Sequence, residues 1–109
     1  MELDFSDDDL RALCEDEKLA QRKLGKACSR KLWARLADLE AAAHVRELPA
    51  GRPHELKGDR RGQVALVLSG GVRLVIEPNH NPIPKLADGG IDWSSVTKVR
   101  IIFIGDYHD

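Results

Sequence analysis

The sequence predicts a small α+β domain, in which two amino-terminal helices pack on one face of an antiparallel-rich, twisted β-sheet. Two observations support this class. Apolar residues recur every three or four positions through the first 43 residues, the spacing of buried helix faces, whereas the second half holds short apolar runs separated by glycines and prolines. With 109 residues, the chain is long enough for one hydrophobic core, so residues 1–109 are expected to form a single domain.

The amino-terminal segment is predicted to form a short strand followed by two helices. Polar and apolar residues alternate over residues 2–5, and Ser6 with the three aspartates after it suits the start of a helix. Gly25 is expected to separate the two helices. The buried stripe of the first comprises Leu10, Leu13, Ala20 and Leu24, and that of the second comprises Leu32, Leu36, Leu39 and Ala43.

Residues 64–76 are predicted to form a β-hairpin, because two apolar runs flank Ser69-Gly70-Gly71 and a tight turn needs positive φ angles. Arg73 interrupts the second run. Since side chains alternate across a sheet, it shares a face with Val75 and Glu77. The residues allow two interpretations of this guanidinium: an ion pair with an acid such as Glu77, or a ligand for phosphate.

The remaining segments are a loop and a central strand. Residues 79–90 contain two prolines and two glycines and are expected to form a surface loop, in which His80 has no chemical role. Residues 96–104 are apolar on both faces, as in a strand at the centre of a sheet. This strand would deliver Asp106, Tyr107 and His108 to its exit.

Composition and cysteine usage indicate a globular cytoplasmic protein. Hydrophobic residues make up 42% of the chain and charged residues 32%, and no apolar run approaches the roughly 20 residues that span a bilayer. The acidic start does not follow the order of a signal peptide. Cys14 and Cys28 lack the spacing of a zinc or redox motif and are expected to pack as small apolar residues. No metal or cofactor is predicted.

Charge is strongly segregated although the formal net charge is only −1. Residues 1–17 hold eight acidic residues and one arginine, whereas residues 18–35 hold seven basic residues and no acidic one. Such a basic stretch could contact a polyanion, or it could be a solvated helix face.

Several residues of the second half could form a catalytic site: His54 and Lys57 before the hairpin, Arg73 within it, and Asp106 and His108 after the last strand. If the last strand pairs with the strand of Arg73, one sheet face gathers two histidines, a lysine and an arginine. A metal-independent ribonuclease needs such groups, because the 2′-hydroxyl loses a proton, the leaving 5′-oxygen gains one and the phosphorane needs positive charge. Each residue also has a structural explanation as a turn, solvated or tail residue.

Three motifs, in this order, resemble the HigB-type (plasmid maintenance killer) toxins of the RelE/ParE superfamily. They are HELKGDRRGQ at residues 54–63, GGVRLVIEP at 70–78, and ID at 91–92 leading to DYH at 106–108. The resemblance implies a toxin of a type II toxin–antitoxin system that cleaves messenger RNA in the ribosomal A site. It further implies a helix-turn-helix, HigA-like antitoxin as partner and a 2′,3′-cyclic phosphate product.

The family's roles would fall on residues of this chain as follows. His108 would act as general acid or base and His54 as a second proton-transfer or orienting group; Lys57 and Arg73 would stabilise the phosphate, and Asp106 and Tyr107 would orient His108 or the nucleotide. RNA binding would fall to Lys18, Arg22, Lys23, Lys26, Arg30, Lys31, Arg60 and Arg61.

Two alternatives to the ribonuclease stay open at the level of sequence. One is a non-catalytic inhibitor in the style of the ParE branch, which targets DNA gyrase. The other is an inactive relative that serves as an antitoxin-binding module, and its main support is the low isoelectric point of about 6.4.

Overall fold

A computed structural model describes residues 1–106 and shows a five-stranded sheet with three α-helices. Three 3-10 turns lie in the connections, at Val45–Glu47, Gly58–Arg60 and Trp93–Ser95. In chain order, the strands and helices are β1 (Glu2–Phe5), α1 (Asp8–Glu15), α2 (Glu17–Leu24), α3 (Lys26–Ala41), β2 (His54–Glu55), β3 (Val64–Val67), β4 (Arg73–Pro78) and β5 (Lys98–Gly105).

The strands are arranged in the order β1-β5-β4-β3-β2, with β1 parallel to β5 and every other pair antiparallel. This arrangement confirms the predicted α+β class. The hairpin prediction is also confirmed: β3 and β4 flank Gly70 and Gly71, whose φ angles are 59° and 88°. The last strand is internal, as predicted, because β5 pairs with both β1 and β4.

The helices pack against one face of the sheet, where most of the core lies. Leu32, Leu36 and Leu39 of α3 share a buried cluster with residues of β3, β4 and β5, among them Leu66, Leu74, Ile76, Val99 and Ile101. The opposite side, which we term the second face, holds a smaller cluster of Leu56, Ala65 and Val75, with Ile102 and Phe103 packed against it. Strand alternation therefore divides β4 between a helix-covered core and the second face.

The first predicted helix is two helices in the structure. Asp16 leaves the helical conformation at φ −119° and ψ 100°, and its side chain accepts a hydrogen bond of 3.1 Å from Leu19 N. An aspartate that caps a following helix in this way interrupts the one before it. Asp7 caps α1 in the same manner, accepting from Leu10 N at 2.8 Å.

One residue of the predicted helix stripes is misplaced. Helix α3 ends at Ala41, so Ala43 lies beyond the helix and is exposed, whereas Ala42 is buried. The helical spacing no longer applies once the backbone becomes extended at Ala42. Within residues 1–106, no helix has the length and apolar character needed to cross a bilayer.

Both cysteines are free and contribute to packing, which confirms their predicted role. Cys28 is buried, and the partly buried Cys14 packs against the main core. Burial, together with the nearby carboxylate of Glu15, raises the pKa of the Cys14 thiol to about 12. At neutral pH this thiol therefore stays protonated and is a poor nucleophile.

We expect the folded protein to resist alkylation at Cys14. At pH 8, iodoacetamide should modify it roughly a thousandfold more slowly than the unfolded chain, since the thiolate fraction falls by about that factor between an ordinary cysteine pKa and 12. Peptide mass spectrometry of time points with and without urea measures both rates. Equal rates would show that the thiol is neither buried nor neutral as described.

Candidate functional site

His54 lies on the edge strand β2 and points to the second face of the sheet. It pairs with Ala65 of β3, and paired residues in antiparallel strands project to the same side. The His54 side chain is exposed, and its Nδ1 lies 2.9 Å from the carbonyl oxygen of Arg52. Because a carbonyl only accepts, Nδ1 carries the proton in this contact. In the neutral form of the ring, the acceptor nitrogen is then Nε2.

A tight turn before β2 brings Arg52 to this site. Gly51 and Arg52 both have positive φ, 84° and 50°, and the Gly51 carbonyl accepts a hydrogen bond of 2.6 Å from Val67 N. A Cβ on Gly51 would lie 2.9 Å from the Arg35 side chain and 3.3 Å from Leu66 Cβ, so this close approach requires glycine. A non-glycine residue at positive φ is strained, and such strain is concentrated at functional sites.

Arg52, Pro53, His54, Val67 and Arg73 line one cavity of about 460 Å³, which we term the anion cavity. Val67 pairs with Arg73 across the hairpin, which places the guanidinium on the same face as His54. Two arginines and an imidazole that converge on one opening form a site suited to an anion such as phosphate.

Glu77 is not the ion-pair partner of Arg73. Glu77 pairs with Arg100, which donates from Nε at 3.0 Å and from Nη2 at 2.6 Å to the same carboxylate oxygen. Within residues 1–106, Arg73 makes no ion pair; its Nη1 donates only to the neighbouring Val72 carbonyl, at 3.4 Å. Among residues 1–106, no acid therefore neutralises the Arg73 charge.

The end of β5 lies beside the anion cavity. Arg73 pairs with Gly105, and the carboxylate of the next residue, Asp106, lies against the hairpin turn: its Oδ2 is 3.0 Å from the point where a Gly71 Cβ would be. The predicted site residues Tyr107 and His108 lie outside the described residues.

Lys57, Arg60 and Arg61 lie apart from the anion cavity. Lys57 is exposed and precedes the 3-10 turn Gly58–Arg60, and it does not line the cavity. The Arg60 guanidinium lies over the Phe103 ring, 5.0 Å from its centroid. Arg61 lines a separate cavity of about 700 Å³, along with Glu77 and Arg100. The prediction of Lys57 as a phosphate ligand therefore has no support from proximity.

The basic residues of the helices form a surface on the opposite layer, which we term the helical basic surface. Its members are exposed and make no ion pair within the described part of the chain. Arg35 differs from them, since its Nε lies 2.9 Å from Asp38 and its side chain is only 15% exposed. The members are Lys18, Arg22, Lys23, Lys26, Arg30 and Lys31.

Sequence reasoning missed Arg52. The available signal was its position after Gly51, since glycine permits a sharp turn. Pro53 gave the opposite indication, because a proline disfavours all but extended conformations in the residue before it, whereas Arg52 has a φ of 50°. A basic residue at such a turn, two positions before a strand that begins with a candidate histidine, was a reason to include it in the site.

Comparison with known proteins supports the fold. No protein-family model matches this chain, and no curated protein matches its sequence significantly. Among solved structures, a YoeB/ParE toxin from Agrobacterium tumefaciens is similar, with a TM-score of 0.61 and 16% sequence identity. The match covers 99% of this chain and 100% of that toxin. The whole chain therefore has the fold of that toxin.

The contact between Asp106 and the hairpin turn can be tested with two glycine variants. Gly70 and Gly71 both have positive φ, but a Cβ at position 70 meets nothing within 4 Å. We expect Gly70→Ala to destabilise by about 1 kcal/mol through strain alone, and Gly71→Ala to destabilise more because its methyl group would displace Asp106. Urea denaturation measures both, and equal losses would contradict the contact.

Proposed function

We propose that this chain is the toxin of a type II toxin–antitoxin pair and that it cleaves messenger RNA on the ribosome, as a HigB-type enzyme of the RelE/ParE superfamily would. The anion cavity is the observation that carries the proposal, because it combines a histidine of defined orientation with two arginines on an accessible face. The similarity of the fold to a YoeB/ParE toxin is consistent with it.

The orientation of His54 suits it to accept a proton from the ribose. Its Nδ1–H donates to the Arg52 carbonyl, so the neutral ring presents Nε2 as a base. In the proposed reaction, Nε2 takes the proton of the 2′-hydroxyl while the 2′-oxygen attacks phosphorus. The bond from phosphorus to the 5′-oxygen breaks, which leaves a 2′,3′-cyclic phosphate and a 5′-hydroxyl.

The charges around the reacting phosphate would come from Arg52 and Arg73. Both residues line the anion cavity, where fixed positive charge would stabilise the additional negative charge of the phosphorane. We propose that His108 protonates the leaving 5′-oxygen and that Asp106 and Tyr107 orient it. Lys57 keeps a proposed role in binding RNA beyond the reacting phosphate.

The proposed partners are a helix-turn-helix, HigA-like antitoxin and the ribosome. The helical basic surface would contact ribosomal RNA, while the second face would receive the messenger. This division follows from the sheet, which separates the two cationic surfaces. Arg60 and Arg61 would belong to the messenger side, because both lie near residues of the second face.

Arg73→Gln tests the catalytic proposal. We expect cleavage to fall at least about a hundredfold, since an arginine of the anion cavity is lost, with thermal stability nearly unchanged because no described acid pairs with Arg73. Inducible expression followed by mapping of transcript 5′ ends, with circular dichroism melting of the purified variant, measures both effects.

Arg100→Gln is the matched control for that experiment. It breaks the partly buried ion pair with Glu77 and should cost about 1 kcal/mol of stability, but it should leave cleavage largely intact. Full cleavage by Arg73→Gln would refute the phosphate site. Growth arrest without any cut transcripts would instead favour a non-catalytic inhibitor of the ParE kind.

The helical basic surface can be tested by replacing Lys23, Lys26, Arg30 and Lys31 together with glutamine. We expect weaker ribosome association and a salt dependence whose logarithmic slope falls by up to about 3, because each lost phosphate contact removes counterion release. Co-sedimentation with ribosomes at several salt concentrations measures the slope. Lys98→Gln, which removes an exposed cation from the sheet, serves as the control. An unchanged slope in the fourfold variant would show that the helical basic surface is only a solvated helix face.

A further inference from the structure

Helix α3 carries a solvent-facing row of side chains, which we term the α3 stripe. Its members lie alternately four and three residues apart, the spacing of side chains that share one helix face. All are exposed except the central tryptophan, which is partly exposed and packs against the main core. The buried residues of α3 occupy another side of the helix. From the amino-terminal end, the members are Lys26, Arg30, Trp33, Ala37 and Glu40.

The order of charges along the α3 stripe is the reverse of what a helix dipole favours. Helices stabilise acidic residues in their first turn and basic residues in their last. Helices α1 and α2 both hold acidic residues in their first turns, and α2 also ends with basic ones. Helix α3 instead begins with Lys26, has no acidic residue in its first turn and carries Glu40 near its end. This departure indicates a requirement other than the stability of the isolated helix.

Contacts within the chain do not account for these charges. Lys26, Arg30 and Glu40 form no ion pair with another of residues 1–106. The N-cap of α3 is a glycine and provides no side-chain hydrogen bond. By contrast, Arg35 on another face of the same helix has a partner, since its Nε lies 2.9 Å from the Asp38 carboxylate. Among the described residues, no opposite charge therefore neutralises either end of the α3 stripe.

The α3 stripe is complementary to its own reversed copy. If two α3 helices pack antiparallel with Trp33 at the centre, Lys26 of one copy lies opposite Glu40 of the other, because each is seven positions from the tryptophan. A two-fold axis through the centre forms this contact twice and closes the assembly at two chains. The stripe extends about 21 Å at the helical rise per residue, so the two contacts lie at opposite ends of the interface.

We propose that two copies of this chain form a two-fold dimer in which the α3 stripes pack antiparallel. The two Trp33 side chains would lie on either side of the axis and bury the part of each ring that the single chain leaves exposed. Arg30 would lie near Ala37 of the second copy, whose small side chain leaves room for it. The contacts of Lys26 with Glu40 would set the orientation more than the affinity. One helix pair buries little area, so we expect a dissociation constant of about 10–100 µM.

The dimer would cover Lys26 and Arg30, which belong to the helical basic surface. A second copy and an RNA would then compete for the same cations, so dimerisation would withdraw part of that surface from RNA. The inference goes beyond the proposed function and does not depend on it, because the pairing of α3 involves no residue of the anion cavity. A chain that dimerises without cutting any transcript would retain the dimer, and a nuclease that stays monomeric would refute it.

Sedimentation velocity of the purified chain over a range of concentrations tests the dimer. We expect the dissociation constant to rise at least about tenfold between about 50 mM and 500 mM salt, because screening weakens the charge contacts. Tryptophan emission should shift to shorter wavelength as the dimer forms and Trp33 becomes buried, since Trp93 is already only 3% exposed. A chain that stays monomeric at low salt and about 100 µM would overturn the proposal. Assembly beyond two chains would refute the two-fold arrangement.

Charge exchange identifies the interface. Glu40→Lys and Lys26→Glu each oppose like charges across the axis and should weaken dimerisation at least about tenfold. Their equimolar mixture, and the chain that carries both changes, should dimerise like the wild type, because every contact again joins opposite charges. Both changes follow the preference of the helix dipole, so the variants should keep their circular dichroism spectrum.

Lys31→Glu is the matched control for charge exchange, since it makes the same change on another face of α3. It should alter the dissociation constant by no more than about twofold. An equal loss of dimer in Lys31→Glu and Lys26→Glu would show a general effect of charge and would overturn the α3 interface. A mixture of Glu40→Lys with Lys26→Glu that stays monomeric would also overturn it.

Discussion

The antiparallel register of β4 against β5 determines how the acid of the second face is neutralised. Arg73 lies opposite Gly105, and Glu77 lies opposite Arg100. Arg100 therefore binds Glu77 at hydrogen-bond distance. Glu77 is the one acidic residue of β4, and β5 has none. Once Glu77 is paired with Arg100, neither strand holds an acid for Arg73.

The pairing of β4 with β5 also contains an irregularity. The register shifts between Val75 and Ile76, so Ile102 has no partner, and both Ile102 and Phe103 pack against the cluster of the second face. Phe103 also fills the space over Gly105, where a Cβ would lie 3.0 Å from its ring. The centre of the second face is therefore apolar, with the anion cavity at one end and the Glu77–Arg100 ion pair at the other.

The sequence predicted those parts of the structure that depend on neighbouring residues alone. Alternation and glycine positions predicted the hairpin, and with it the face that Arg73 occupies. The partner of Glu77 could not be predicted, because it depends on the register of a distant strand and on its bulge. Arg52 was missed for a similar reason, because its place in the anion cavity depends on an unusual backbone conformation. Tyr107 and His108 stay predictions.

The low isoelectric point was the main argument against an RNA-binding toxin. The fold weakens this argument, because it separates acidic from basic residues. Acidic residues are concentrated in β1 and α1, where Asp4 and Glu15 already pair with Arg11, whereas the helical basic surface and the anion cavity have no such compensation among the described residues. Since charges are screened beyond about 8–10 Å at moderate ionic strength, a polyanion responds to the local surface more than to the net charge. The sheet also lies between the two cationic surfaces. One RNA strand cannot contact both without passing around an edge. If the proposed function holds, the two surfaces would therefore make separate RNA contacts, one with the ribosome and one with the strand that is cut.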